Sequence, residues 1–440
     1  ANPRTFSAPV SVESSSRACS NAALSPANDG GLHLVYDITD PYVHYRKRGA
    51  DGIWRPAEGV APGAYPSVVE TTNNVIRVVF TDQMARENMT LRESSNSGSG
   101  WSSPVNIFYA MNWYPRLARG LNGSVHLIDN FFVQNTHEVR FATRSTSSWS
   151  TTTALGTSTR WGTPDLASGP DGVIHTVWST GTNLMYRRQV NGSWEAAQTL
   201  DSSPTCLLPR VALDSSNRPV IVWLGASALP GYEVKFTRWT GSGWTAPRVI
   251  GYGHFPAIAV DQSNHIHVVY TFPGVAGKED IVHLVFNGSS WTAARNISNN
   301  AGISSRPAIA VTSDNSVHIA WQDDSNRALS QIFYAVSGGT PTAGAIQGTV
   351  RDSNGNPLSG ATITTSPGGY TATTGSDGFY RLSNVVPGTY SVTAQKAGYS
   401  TQTQSNRNVV AGQTTVVDFT LSVIPGAISG VVRDSANNPV

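Results

Sequence analysis

Charge is the first thing this chain is short of. Lysine, arginine, aspartate and glutamate make up 13% of its 440 residues, about half of the roughly 25% usual in soluble proteins. The formal net charge is only +2. That excludes the basic footprint of a nucleic-acid binder or of a protein held electrostatically to a membrane. Long apolar runs are missing too: none approaches the ~20 residues that cross a bilayer as a helix, so no transmembrane segment is expected. Cysteine occurs twice, at Cys19 and Cys206. Two cysteines exclude a disulfide-dense scaffold and a Cys-based zinc site, and permit one bridge. No metal or other cofactor is expected. No signal peptide opens the chain, and Ala1 is compatible with a processed N-terminus. Serine, threonine, asparagine and glycine take the place of charge, a composition that points to an extracellular or cell-surface, prokaryotic protein.

What the chain has instead is repetition. Starting from Pro66, Pro115, Pro164, Pro209, Pro256 and Pro307, and from Ala22 in the first copy, the eleventh residue onward is His33, Arg77, His126, His175, Val220, His267 or His318. Three residues later stands Tyr36, Phe80, Trp178, Trp223, Tyr270 or Trp321, and only the third copy departs, with Asp129. A further β-pattern follows in each copy, then a Gly/Ser turn and a tryptophan: Trp54, Trp101, Trp149, Trp194, Trp244, Trp291. These are seven copies, 44 to 51 residues apart. Four short strands per unit at this period describe the blades of a propeller.

The seventh copy lacks its fourth strand and runs into the linker 337–344. The segment Thr5 to Glu13 matches the missing piece, with Phe6 at the tryptophan position. The expectation is therefore an all-β protein. A seven-bladed β-propeller over 1–336 is closed by the N-terminal strand, which removes two sheet edges that would otherwise invite aggregation.

From Ala345 the pattern changes. The runs Gly348-Thr-Val-Arg-Asp-Ser-Asn-Gly-Asn-Pro357, Asp377-Gly-Phe-Tyr-Arg-Leu382 and Pro387-Gly-Thr-Tyr-Ser-Val-Thr-Ala394 alternate strands with Asp-Gly and Pro-Gly turns, which describes a β-sandwich. Residues 345–422 resemble the carboxypeptidase regulatory-like (transthyretin-like, Ig-like) domain. The resemblance implies a structural spacer on secreted and surface proteins. Residues 423–440 hold a linker and then repeat the start of that domain 82 residues later. Self-association by strand addition through 427–434 is expected if that strand joins an open edge.

The propeller resembles sialidase-like bacterial propellers in its strand-turn-Trp arrangement. Of their Ser-x-Asp-x-Gly-x-x-Trp box only Gly and Trp survive, as in Gly52-Ile-Trp54, so sialidase activity is not expected. The repeated histidines fill one scaffold position, where each ring should hydrogen-bond a neighbouring blade or loop. The repeated tryptophans should plug the spaces between blades.

Chemistry is expected where copies disagree, in the loops around the channel mouth. Loops leading into the first strands carry Tyr65, Trp113, Tyr114, Arg160, Trp161, Tyr252, His254 and Arg306. Those leaving the second strands carry Asp37, Asp40, Asp82, Arg86, Asp129, His137, Lys278, Asp280, Asp323 and Asp324. Aromatic platforms beside arginine suit a glycan ligand. The preferred reading is a non-catalytic propeller for adhesion, glycan binding or filament assembly. The alternative is a polysaccharide lyase or hydrolase acting on an acidic polysaccharide, using Arg160, Tyr114, His137, Tyr252 and His254. Cys19 and Cys206 fall in loops of the first and fifth copies on that same face, which leaves a disulfide open.

Overall fold

A computed structural model of the chain describes residues 5–13, 17–39, 41–82, 89–109, 111–133, 136–145, 147–159, 162–228, 231–274, 278–325, 329–337, 344–366, 369–385, 388–409, 413–425 and 430–440. The chain forms two compact units that divide at Gly339/Thr340. Described secondary structure is β throughout, apart from one three-residue 3₁₀ turn at Leu121–Gly123.

In the larger unit the sheets follow the sequence repeat. Cys19–Pro26, Leu32–Ile38, Tyr42–Arg48 and Glu58–Pro62 pair in that order, all antiparallel. The second and third copies repeat the pattern. The next three are joined into one sheet of eleven strands. Gln198–Leu213 pairs with Gly181–Val190 through its first half and with Pro219–Gly225 through its second, and Arg248–Val260 does the same one copy later. In the seventh copy the fourth position is taken by Val10–Ser11, which pairs with Gln331–Ser337. Phe6 bridges Ser337 just beside it.

The core consists of apolar alternation on the second and third strands. Tyr36, Phe80, Trp178, Trp223 and Trp321 are at most 1% exposed. Asp129 takes that place in the third copy and is fully buried. Burial holds its carboxyl well above the usual range, opposed by the nearby Arg116 charge.

The repeated histidines use one ring nitrogen inside their own copy, and Nε2 of His33 reaches Glu70 of the next copy, the kind of neighbour contact that was expected. His33, His175 and His318 place Nδ1 2.8, 2.7 and 2.6 Å from the hydroxyls of Tyr45, Tyr186 and Tyr334 on the adjacent strand. Those tyrosine rings then meet the tryptophan of the following copy edge-on: Trp101 on Tyr45, Trp244 on Tyr186 and Trp54 on Tyr334, at 4.8 to 5.1 Å. A His–Tyr–Trp chain thus ties a copy to its neighbour. The sixth copy substitutes His283 for the tyrosine, and Phe6 packs on it at 5.0 Å. The tryptophans are the inter-copy plugs that the repeat suggests. Cys19 and Cys206 are buried and form no disulfide.

The smaller unit has two four-stranded sheets. Gly344–Asp352 lies between Phe379–Val385 and, in parallel, Thr414–Val416 and Phe419–Leu421. Thr362–Ser366 and Gly388–Gln395 are the inner strands of the other. Between them Ile346, Val350, Ile363, Val392 and Leu421 are completely buried. A Cβ at Gly348 would lie 2.0 Å from the Val417 carbonyl oxygen, so the parallel contact needs glycine there.

Candidate functional site

The innermost strands carry a repeated distortion. Their register shifts between Ser20 and Ala23, Ala64 and Ser67, Trp113 and Arg116, Leu207 and Arg210, His254 and Ala257, and Ser305 and Ala308. In each of these six bulges the residue before the repeat position is left-handed: Asn21, Tyr65, Tyr114, Leu208, Phe255 and Arg306, with φ from 48° to 66°. That geometry costs a non-glycine residue on the order of 1–3 kcal/mol, and only asparagine is a habitual occupant. The backbone is held from the preceding copy: Asp37 accepts from the Tyr65 N–H at 2.8 Å, and Thr271 from the Arg306 N–H at 3.1 Å. All six bulged residues line a single cavity of about 680 Å³, inside the ~300–1,000 Å³ range of small-ligand sites.

The six side chains differ while their backbone does not. Tyr65 and Tyr114 stand ring to ring at 4.5 Å. Burial and the neighbouring Tyr114 raise the Tyr65 phenol, so it is a poor base near neutrality. The Arg306 guanidinium lies 4.5 Å from the centre of the Phe255 ring, and His254 meets Tyr232 edge-on at 5.5 Å.

One residue beyond each proline, the copies read Ala23, Ser67, Arg116, Asp165, Arg210, Ala257 and Ala308. Arg116, Asp165 and Arg210 all line the cavity. Asp165 accepts from the Val211 N–H at 3.0 Å and lies 4.0 Å from Arg116. Desolvation and then the Arg116 charge pull Arg210 down to about 9, so it remains a cation that gains from an anionic partner. Burial raises the Asp165 and Asp37 carboxyls, with the arginines opposing. Among the described residues the cavity thus presents three arginines to one lining carboxylate.

The structure gathers four of the expected site residues, Tyr65, Tyr114, His254 and Arg306, in this cavity. Tyr252 does not line it; it lies in the half of Arg248–Val260 that pairs with Tyr232–Arg238 of the fifth copy, opposite Glu233, and is 36% exposed. His137 does not either; its ring sits 4.8 Å from Phe132 on the strand pair of the third copy. Trp113 lies on Met111–Arg119, and Arg160, Trp161, Asp40 and Arg86 lie outside the described residues. Arg116, Asp165 and Arg210 were not foreseen, although the repeat marks them as the charged residues in a column of alanine and serine. Among the described residues no group of three or more His, Cys, Asp or Glu side chains is placed to hold a metal, and no helix is long and apolar enough to cross a membrane.

Residues 345–422 match the carboxypeptidase regulatory-like domain family. Carboxypeptidase D of Mus musculus is 42% identical over 93 residues, 20% of this chain and 7% of that protein. Among solved structures, an ulvan lyase of a polysaccharide lyase family, bound to -[GlcA(1-4)Rha3S]-, aligns over 72% of this chain and 93% of its own, with TM-score 0.54 and 9% identity. A fungal alcohol oxidase in complex with copper aligns over 93% and 100%, with TM-score 0.51 and 11% identity. A microbial sialidase covers 72% and 65%, with TM-score 0.42 and 14% identity. These likenesses concern fold: a β-propeller, followed by a carboxypeptidase regulatory-like domain.

Proposed function

We propose that the larger unit is a seven-bladed propeller, closed by the Val10–Ser11 strand, whose central cavity binds an acidic saccharide. The observation that carries this reading is the convergence of Arg116, Arg210 and Arg306 with Tyr65 and Tyr114 in one cavity. Guanidinium groups recognise carboxylate or sulfate in two-pronged fashion, and phenol and phenyl faces receive the apolar faces of sugar rings. The protein acts outside the cell, and the 345–422 domain is a spacer that displays the propeller. The boundaries are 1–336, 337–344, 345–422 and 423–440.

Binding without catalysis is preferred. The Tyr65 phenol is driven away from the range of a base, and the lining carboxylate Asp165 already serves the Val211 N–H. Titration calorimetry with oligoglucuronate and with a neutral oligosaccharide of equal length tests the reading. Arg210→Ala should weaken uronate binding ~10- to 100-fold, and equal affinity of the parent for both ligands would refute the reading. The lyase reading is kept alive by Tyr114 and His254 lining the same cavity as the arginines. Unsaturated-product absorbance that vanishes in Tyr114→Phe would establish it. Deleting residues 1–13 should abolish cooperative unfolding; a truncation that melts like the parent rules out closure. Self-association through 427–434 draws support from Val431 and Val432, 65% and 72% exposed, and light scattering of the full chain against a chain ending at residue 425 decides it.

A further inference from the structure

In the histidine row three copies give Nε2 a partner among the described residues, and the fourth copy buries it without one. Nε2 of His33 lies 3.2 Å from Glu70, that of His267 3.3 Å from Asp261, and that of His318 2.8 Å from Thr312. Nε2 of His175 is buried and meets no hydrogen-bond partner among the described residues. The sequence explains the gap. Asp261 and Thr312 stand five residues after their prolines, where the fourth copy has Gly169; Glu70 stands four residues after its proline, where the neighbouring fifth copy has Leu213. Both routes by which sister copies satisfy this nitrogen are missing.

A second cavity, of about 250 Å³, lies where this happens, lined by His175, Tyr186, Trp239, Trp244, Arg188 and Arg218 among others. It sits by the turns at Asp171 and Asn217; the Asn217 turn follows the end of Gln198–Leu213, beyond the Leu208 bulge, so the cavity lies away from the central mouth. Its aromatic wall is partly scaffold and partly new. Trp244 is the repeated plug on Tyr186, at 4.8 Å. Trp239 bridges Trp244, with ring centres 5.7 Å apart, at the place that other copies give to Arg48, Asn96, Arg144, Gln189 and Phe286. The two arginines are already neutralised: Arg188 by Glu195 and Arg218 by Asp214, each at 2.8 Å. With Asp171 also lining the cavity, no positive charge is left over among the described residues.

We infer that this cavity is a second saccharide site, for a neutral pyranose unit. A sugar hydroxyl meets His175 Nε2, and the ring's apolar face lies on the Trp239 indole. A hydroxyl both donates and accepts, so it satisfies either tautomer of the imidazole. An unsatisfied buried nitrogen is costly, and a polar ligand removes that cost. The charge balance separates the two sites: the central cavity favours an anionic sugar, the side cavity an uncharged one.

Saturation-transfer NMR on the full chain tests this, with methyl β-glucopyranoside, methyl β-galactopyranoside and methyl α-rhamnopyranoside as neutral probes and methyl β-glucuronide as the acidic one. At least one neutral probe should bind. Its affinity should fall at least tenfold in both Trp239→Gln and His175→Phe and stay unchanged in Arg210→Ala. Circular dichroism identifies a misfolded variant, and Trp239→Gln places at the site the residue that the fourth copy carries there. The inference fails if no neutral probe binds, if binding survives Trp239→Gln, or if it is lost in Arg210→Ala. Glucuronide binding that depends on Arg210 alone supports the central site without touching this one, so the two readings fail separately.

Discussion

Two rows of equivalent residues run through the larger unit, and they are built on opposite principles. In the histidine row five of the seven copies keep the side chain and its partner varies: Tyr45, Tyr186, Tyr334, His283, or in the third copy Thr143 at 3.0 Å. In the bulge row the backbone is kept and the side chain varies, from Asn21 through Tyr65, Tyr114, Leu208 and Phe255 to Arg306. A kept side chain with interchangeable partners meets a structural need, that of tying each copy to the next. A kept, strained backbone with interchangeable side chains is a mount, and its function lies in what it carries. The same distinction identifies the fourth copy, where the histidine is kept and its second partner is not.

The sharpest way to break this comparison is to damage each row and ask which property suffers. Trp223→Ala, at the aromatic position of the scaffold row, should cost about 3–5 kcal/mol of stability, read as a lowered urea midpoint. Glycan affinity below the transition should be unaltered. Arg210→Ala, behind the bulge row, should do the reverse. Affinity for an acidic oligosaccharide should drop ~10- to 100-fold, as befits a charged hydrogen bond worth about 1.5–3 kcal/mol, with the urea midpoint kept or slightly raised because Arg116 loses a like-charged neighbour.

pH sharpens it further. Burial holds His126 and His175 down to about 4 and His318 down to about 3. Their folded values lie below the unfolded value of about 6.5, so the folded state binds fewer protons. Stability present above pH ~6.5 should therefore be lost as pH falls toward 4, at up to about 1.4 kcal/mol per pH unit for each histidine. His318→Phe should lose about 1–3 kcal/mol at pH 7 by orphaning Tyr334 and Thr312, and should flatten the acid slope by one proton. An unchanged slope would mean that His318 is not buried in its neutral form. The smallest effect is expected at Leu208. Leu208→Asn should gain up to about 1 kcal/mol, since asparagine tolerates the left-handed bulge that leucine resists. A loss would show that the Leu208 side chain supports the cavity wall.

The repeat made the β-architecture legible, because period-two alternation between Gly/Asn/Ser turns has few other meanings, and Phe6 matched a tryptophan position by its neighbours alone. The site was legible only in half. Tyr65, Tyr114, His254 and Arg306 precede or adjoin the prolines and were reachable as residues that break the pattern. Arg116, Asp165 and Arg210 sit one residue inside the strand and read as ordinary strand positions until the seven copies are set side by side. Tyr252 and Tyr114 both belong to first-strand approaches, yet only Tyr114 lines the cavity. Which residue occupies the bulge is a matter of backbone register, and hydrophobic pattern alone does not specify where a strand takes an extra residue.

The strands Gln198–Leu213 and Arg248–Val260 run for 16 and 13 residues without interruption, while Val10–Ser11 joins its sheet through two residue pairs. Copies four to six are therefore not interchangeable modules. Their sequence boundaries fall in the middle of hydrogen-bonded ladders, so a recombination event that swaps one copy must sever a strand serving two sheets. Load applied to that region travels along peptide bonds, whereas at Val10–Ser11 it rests on a few hydrogen bonds. The repeat is even in sequence and uneven in mechanics: force, protease and hydrogen exchange should all enter first beside residues 10 and 11 and last between 198 and 260.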